Sequence, residues 1–260
     1  MFPTVFVSHG SPMLMLHNTQ ARDFLTGFGT TLGRPKAILM CSAHYESTEP
    51  TLSADAKPEM IYDFGGFPQA LFEMIYAAPG DPELAQRAAQ LLSKGGLSAT
   101  TQTHRGYDHG TWVPLKLMYP DADIPVVQLS VQTGKSAAHH AHMGRLLAPL
   151  RNEGVLIMGS GSLTHNLYEL MRSRRVLESP VPEWVSVFGE WAHERTTAGA
   201  LDDICNYLER APYARENHPS AEHYLPLPFA MGAAGEGAKG TRVHTSHEYG
   251  VLMMDAYTFD

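Results

Sequence analysis

Ala37-Ile38-Leu39-Met40-Cys41-Ser42, running on into Ala43-His44-Tyr45, is the stretch that decides the fold. Its apolar positions follow one another without polar alternation, the pattern of a strand buried on both faces. It ends on a histidine. Three more runs share this character. Thr4 to Ser8 ends at His9-Gly10-Ser11-Pro12, Pro125 to Val131 stands alone, and Val155 to Met158 leads through Gly159-Ser160-Gly161-Ser162 into Thr164-His165-Asn166. Helical periods fill the gaps. Asp81 can cap a helix running to Leu92, with Pro82 in its first turn, Leu84, Ala88, Leu91 and Leu92 as an apolar stripe, and Gly95-Gly96 as a stop. Ala137 to Arg151 reads as a second helix closed by Gly154, Pro182 to Thr197 as an amphipathic third, and Asp202 to Glu209 as a fourth. Another is expected after Pro219, carrying His223, and Tyr249 to Phe259 is strand-like. Strands alternating with helices predict an α/β fold. The expectation is one layered domain over residues 1–260, with a central, mostly parallel or mixed sheet flanked by helices.

Composition narrows the function. A formal net charge of -8 with no basic stripe argues against a nucleic-acid partner. Arg172 to Arg175 is too short to serve and reads as a solvated helix end. No run approaches the roughly 20 apolar residues of a membrane helix. The opening MFPTVFVSHGSP has neither the cationic nor the long apolar part of a signal peptide. Cys41 and Cys205 cannot build a disulfide framework or a thiolate zinc site, and with 13 methionines they fit a reducing, cytoplasmic setting.

Histidine is the outlier, at 14 residues. His9, His44 and His165 each lie just beyond the C-terminal end of a predicted buried strand. In open α/β sheets the ligand crevice lies outside those ends, so three histidines distant in sequence can meet there. Any one of them alone reads as a hydrogen-bonded structural residue. Three at corresponding strand ends point to a first-row metal held by neutral imidazoles. Glycines beside His9 and His165 let the backbone turn sharply. His218 and His223 in HPSAEHYLPL, and His104 and His109 in HRGYDHGTW, are further candidates. His139, His140 and His142 sit on a helix whose apolar face is Met143, Leu146, Leu147 and Leu150, and are expected at the surface. Several local motifs fail. Asp63-Phe64-Gly65 lacks the other kinase signatures, His44-Tyr45-Glu46 has no PCxxC after it, and Gly159-Ser160-Gly161 completes neither GxGxxG nor GxSxG.

Taken together, FVSHGSPM, AILMCSAHYE, IYDFGGFPQALFEMIYAAPGDPELA, RGYDHGTWVPLKLMYPDADIPVVQLSV, LIMGSGSLTHNL and HPSAEHYLPL resemble the class III extradiol ring-cleavage dioxygenases. These are the protocatechuate 4,5-dioxygenase β-subunit-like enzymes, and the similarity is to their 4,5-DOPA extradiol branch. The stretches span nearly the whole chain. The resemblance implies His9, His44 and His223 as ligands of one divalent metal ion, Fe(II) for dioxygenase activity with Zn(II) as an alternative occupant. It implies His165 as acid/base, approaching the metal as a fourth ligand in a resting site, and His109 as the histidine facing substrate. One departure stands out: the wider class uses two histidines and a carboxylate, whereas here the third position is His223, with Glu222 beside it.

The implied reaction is extradiol opening of a catechol by O2, part of aromatic compound metabolism. A histidine near its ordinary pKa of about 6.5 would take a catechol proton and later return one. Tyr62, Phe64 and Phe67 are candidates for an aromatic pocket wall, with core packing as the competing reading. The alternative function is a zinc hydrolase, with metal-bound water as nucleophile and His165 or Glu222 as base; a third is a metal protein without turnover.

Overall fold

In the computed structural model, which describes residues 1–260, the four apolar runs lie side by side. The strands are β1 (Thr4–Ser8), β2 (Ala37–Glu46), β3 (Thr51–Ser53), β4 (Thr100–Gln102), β5 (Val126–Val131), β6 (Val155–Gly161), β7 (Gly240–His244), β8 (His247–Glu248), β9 (Leu252–Met253) and β10 (Ala256–Phe259). Eight form one sheet in the order β4-β3-β5-β2-β6-β1-β10-β7, while β8 and β9 pair apart from it. The inner four, β5-β2-β6-β1, are parallel. Next to them β3 runs antiparallel to β5 and β10 antiparallel to β1, so the sheet is mixed.

Side chains alternate across this sheet with the period of two that a pleated strand imposes. Phe6, Leu39, Leu129 and Ile157 pack on one face, under the helices Pro82–Lys94, Ala137–Leu147, Glu183–Thr197 and Pro226–Ala234. Val7, Met40, Val126 and Met158 pack on the other, under Gln20–Leu32 and His109–Met118. Both faces are covered, which is why the inner strands are buried along nearly their whole length, Gln128 and Ser130 of β5 included. Cutting the wholly buried Leu39 back to alanine would cost about 2–5 kcal/mol.

Several boundaries differ from the sequence reading. The helix from Ala137 stops at Leu147 and tightens into a 3-10 turn, Ala148–Glu153, because Pro149 lacks an N–H; Gly154 closes it at φ +87°. Asp202 to Glu209 breaks into two short helices, Leu201–Cys205 and Tyr207–Arg210. The helix expected after Pro219 starts only at Pro226, so His223 stands on the turn before it rather than on the helix. His140 is buried, not at the surface. Its Nε2 accepts from the Gln132 N–H at 3.0 Å and its Nδ1 donates to the Ser136 carbonyl at 2.9 Å. Two long helices, Gln20–Leu32 and His109–Met118, and shorter turns such as Pro12–Met15, Gln69–Phe72 and Ala214–Asn217 lie outside the sequence expectations.

Candidate metal centre

Because β6 lies between β1 and β2, the C-terminal ends of all three open at one place. His9 follows β1, its N–H donating to the Gly161 carbonyl at 2.9 Å, and Gly10 at φ +64° turns the chain away. His44 does not lie beyond its strand as expected. It sits within the last residues of β2, where the register against β5 shifts between Ser42 and Glu46. Such an irregularity bends the strand and re-aims a side chain. His223 reaches the sheet edge because β6 is bare there. A Cβ on Gly159 would lie 2.1 Å from the Pro226 carbonyl oxygen, and one on Gly161 the same distance from that of His223. The Gly-Ser-Gly segment therefore admits a neighbouring backbone, beyond any role in turning the chain.

His9 Nε2 lies 3.0 Å from His44 Nε2, which lies 3.2 Å from His223 Nε2. The far side of each ring decides what these contacts are. His9 Nδ1 is 3.0 Å from Ser160 Oγ, whose own hydrogen is donated to the Gly110 carbonyl. His223 Nδ1 is 3.0 Å from Glu222 Oε1, and His44 Nδ1 is 3.3 Å from Asp63 Oδ2. Ionised carboxylates only accept and the Ser160 hydrogen is committed, so each Nδ1 carries the proton. Three bare Nε2 lone pairs then face one another. Neutral rings cannot satisfy that arrangement among themselves, but a cation can. Burial, followed by repulsion from neighbouring histidines, drives His9 and His223 well below the ordinary imidazole range. Burial and then His109 take His44 down to about 3, against the pull of Asp63. At neutral pH the three rings are uncharged, the state that ligates.

His109 begins the helix His109–Met118, whose N-cap Asp108 accepts from the Thr111 N–H. The backbone N–H and Nδ1 of His109 both donate to Asp63 Oδ1, at 3.0 and 2.9 Å. Asp63 thus bridges His44 and His109. Burial raises its pKa, but the His109 hydrogen bond and charge outweigh this and hold it at about 2. The His165 ring stacks on that of His223, centroids 3.5 Å apart and planes 9° from parallel. His165 groups with Glu222 and His223 rather than with the three converging nitrogens. Burial holds it at about 4, not near 6.5, so it is neutral at pH 7.

The five histidines share a cavity of about 430 Å³ with Asp63, Phe64 and Phe67 in its lining. Tyr62 is not part of that wall; its hydroxyl donates to the Met74 carbonyl at 2.8 Å. Of the other candidates, His218 is buried with its Nε2 on the Leu163 carbonyl at 2.9 Å, and His104 is exposed on the loop after β4. Asp63 and Ser160 escaped the sequence reading. Both lie in stretches that carry the family resemblance but received no role there, and the available signal was a lone carboxylate set against Phe64-Gly65-Gly66.

Residues 3–258 match the family described as the catalytic LigB subunit of aromatic ring-opening dioxygenase. The chain is 42% identical to a 4,5-DOPA dioxygenase extradiol of Beta vulgaris, over 98% of this chain and 96% of that one. It is also 42% identical to a 4,5-DOPA dioxygenase extradiol of Escherichia coli K12, over 89% of this chain and 84% of that one. The crystal structure of an uncharacterized protein from Escherichia coli K12 superposes with a TM-score of 0.80 at 35% identity, covering 100% of both chains. The match to one family runs almost from end to end, and the chain belongs to it: LigB, the aromatic ring-opening dioxygenases of the extradiol class.

Proposed function

We propose that His9, His44 and His223 hold one divalent metal ion, and that the chain, acting as a single catalytic domain, opens a DOPA-like or related catechol with O2. The observation that carries the ligand set is the convergence of three Nε2 lone pairs whose Nδ1 protons are held by Ser160, Asp63 and Glu222. When bound, the metal would supply Lewis acidity and a template for both reactants, Fe(II) being the ion for this chemistry and Zn(II) fitting the same imidazole set. The protein's part is proton handling and positioning. His165 is neutral, and an unprotonated ring nitrogen there can accept a hydroxyl proton from the catechol. His109 has its Nδ1–H fixed on Asp63, so its Nε2 is free to take up a proton and release it to an oxygen of the opened product. Asp63 behind it fixes the tautomer and the orientation of the ring. Phe64 and Phe67 wall the cavity against water.

The hydrolase alternative is not favoured, and of its two candidate bases Glu222 is already engaged. Glu222 Oε1 already accepts from His223 Nδ1 and from the Ser220 hydroxyl at 2.9 Å, and the family is one of ring-opening enzymes. No helix is long and apolar enough to cross a membrane, and two free cysteines accord with a cytoplasmic setting. The test is anaerobic reconstitution with Fe(II), followed by oxygen uptake with a panel of catechols. Oxygen consumption with a yellow semialdehyde product is expected. A fully loaded chain that consumes no oxygen with any catechol would overturn the proposal.

A further inference from the structure

Away from the histidines the cavity changes character. Leu167, Leu170 and Met171, from the helix Leu167–Arg172, line it together with Phe67 and Leu252. That helix buries none of its residues, and Leu167 and Met171 are 42% and 68% exposed. An apolar face next to the histidine cluster thus goes uncovered. A volume of about 430 Å³ also falls in the range of about 300–1,000 Å³ that takes drug-sized ligands, more room than a bare catechol needs.

The lining offers no cation. No lysine or arginine lines the cavity. Three arginines of adjoining segments are engaged elsewhere, Arg105 with Asp108 at 2.8 Å, Arg172 with Glu169 at 2.8 Å and Arg175 with the Pro180 carbonyl at 3.1 Å, and Arg174 stands outside the lining. Carboxylates do approach. A Cβ on Gly10, itself in the lining, would lie 3.8 Å from Glu248 Oε2. Burial and the charges of Glu248 and Glu178 push the phenol of Tyr249, also in the lining, upward. A lone carboxylate seated against the apolar side chains would give up part of its water and find no cation in the lining, a cost an uncharged tail avoids.

We propose that the Leu167-Leu170-Met171 end of the cavity receives the catechol's substituent and selects tails without net negative charge over tails bearing a lone carboxylate. This rests on the catechol-opening reading of the site. An amino-acid tail, with ammonium and carboxylate together, passes the same filter.

The test uses the Fe(II)-reconstituted chain with 3,4-dihydroxyphenylacetate and its methyl ester, which share a ring and differ in charge. kcat/KM is measured by oxygen uptake, and binding of each compound by calorimetry under argon. The ester should be favoured about tenfold or more in both, equivalent to about 1.4 kcal/mol. Met171→Arg, which adds a guanidinium to the uncovered face, should narrow that ratio by improving use of the acid. Leu170→Lys should do the same, and serves if the first variant does not fold. Equal or tighter binding of the acid by the unaltered chain overturns the proposal, as does a ratio that neither variant moves. If neither compound is opened yet the ester binds in preference, tail selection stands and the ring-opening reading falls.

Discussion

Each converging imidazole is aimed by a different oxygen: His9 by the Ser160 hydroxyl, His44 by Asp63 and His223 by Glu222. Residues that orient a ligand from behind commonly govern metal affinity by about 10–100-fold, so Glu222→Gln should weaken it on that scale. His9→Ala should abolish it, both read by metal titration. His165 is expected to behave otherwise. Its ring lies against His223 rather than among the three nitrogens, so His165→Ala should keep the metal and lose about 10²–10⁴-fold in kcat. A metal-affinity loss matching that of His9→Ala would instead make it a fourth ligand. His9, His44 and His165 were legible in the sequence because they follow apolar strands, whereas the roles of His223 and His109 came only from the family resemblance. Asp63 was not legible, since it lies on a segment without regular structure and becomes informative only when His44 and His109 are seen beside it.

Among the elements, β6 is the one whose glycines decide the site. Gly161→Ala would set a methyl group 2.1 Å from the His223 carbonyl oxygen, and the turn carrying His223 would have to move. Overpacking of this kind costs about 1–3 kcal/mol. The variant should therefore melt lower and bind metal more weakly, checked by thermal unfolding with and without zinc; unchanged affinity would mean that the turn is free to shift. The buried strands were readable because both of their faces are apolar. The helix His109–Met118 was not, being buried nearly all round and interrupted by Pro114, which leaves no amphipathic stripe. Gln20–Leu32 hides behind Gly27, Gly29, Thr30 and Thr31, weak helix formers held in place by packing and by the Thr19 cap. The start at Pro226 was available from proline's preference for a first helical turn, but Pro219 offered the same signal seven residues earlier.

For the molecule as a whole, a metal that binds only the folded chain adds stability by mass action, about 2.7 kcal/mol at a hundredfold excess over Kd. At about 2–4 °C per kcal/mol for a chain near this size, zinc should raise the melting temperature by about 5–10 °C, and a chelator should reverse it. Acid should act in the opposite sense. His140 is held at about 4 and His218 at about 3, both chiefly by burial, against about 6.5 when unfolded. Below pH 6.5 the unfolded chain binds protons that the folded one refuses, so stability falls as pH drops from about 6.5 toward 4. Urea midpoints at pH 7.5 and 5 measure this, and an unchanged midpoint would contradict it. The sheet order has a consequence for the order of assembly. The strand leading to His9 is flanked by β6 and β10, and His44 and His223 stand 179 positions apart. The three nitrogens therefore meet only after segments from both ends of the sequence have joined one sheet, which ties the assembly of this cluster to completion of the fold.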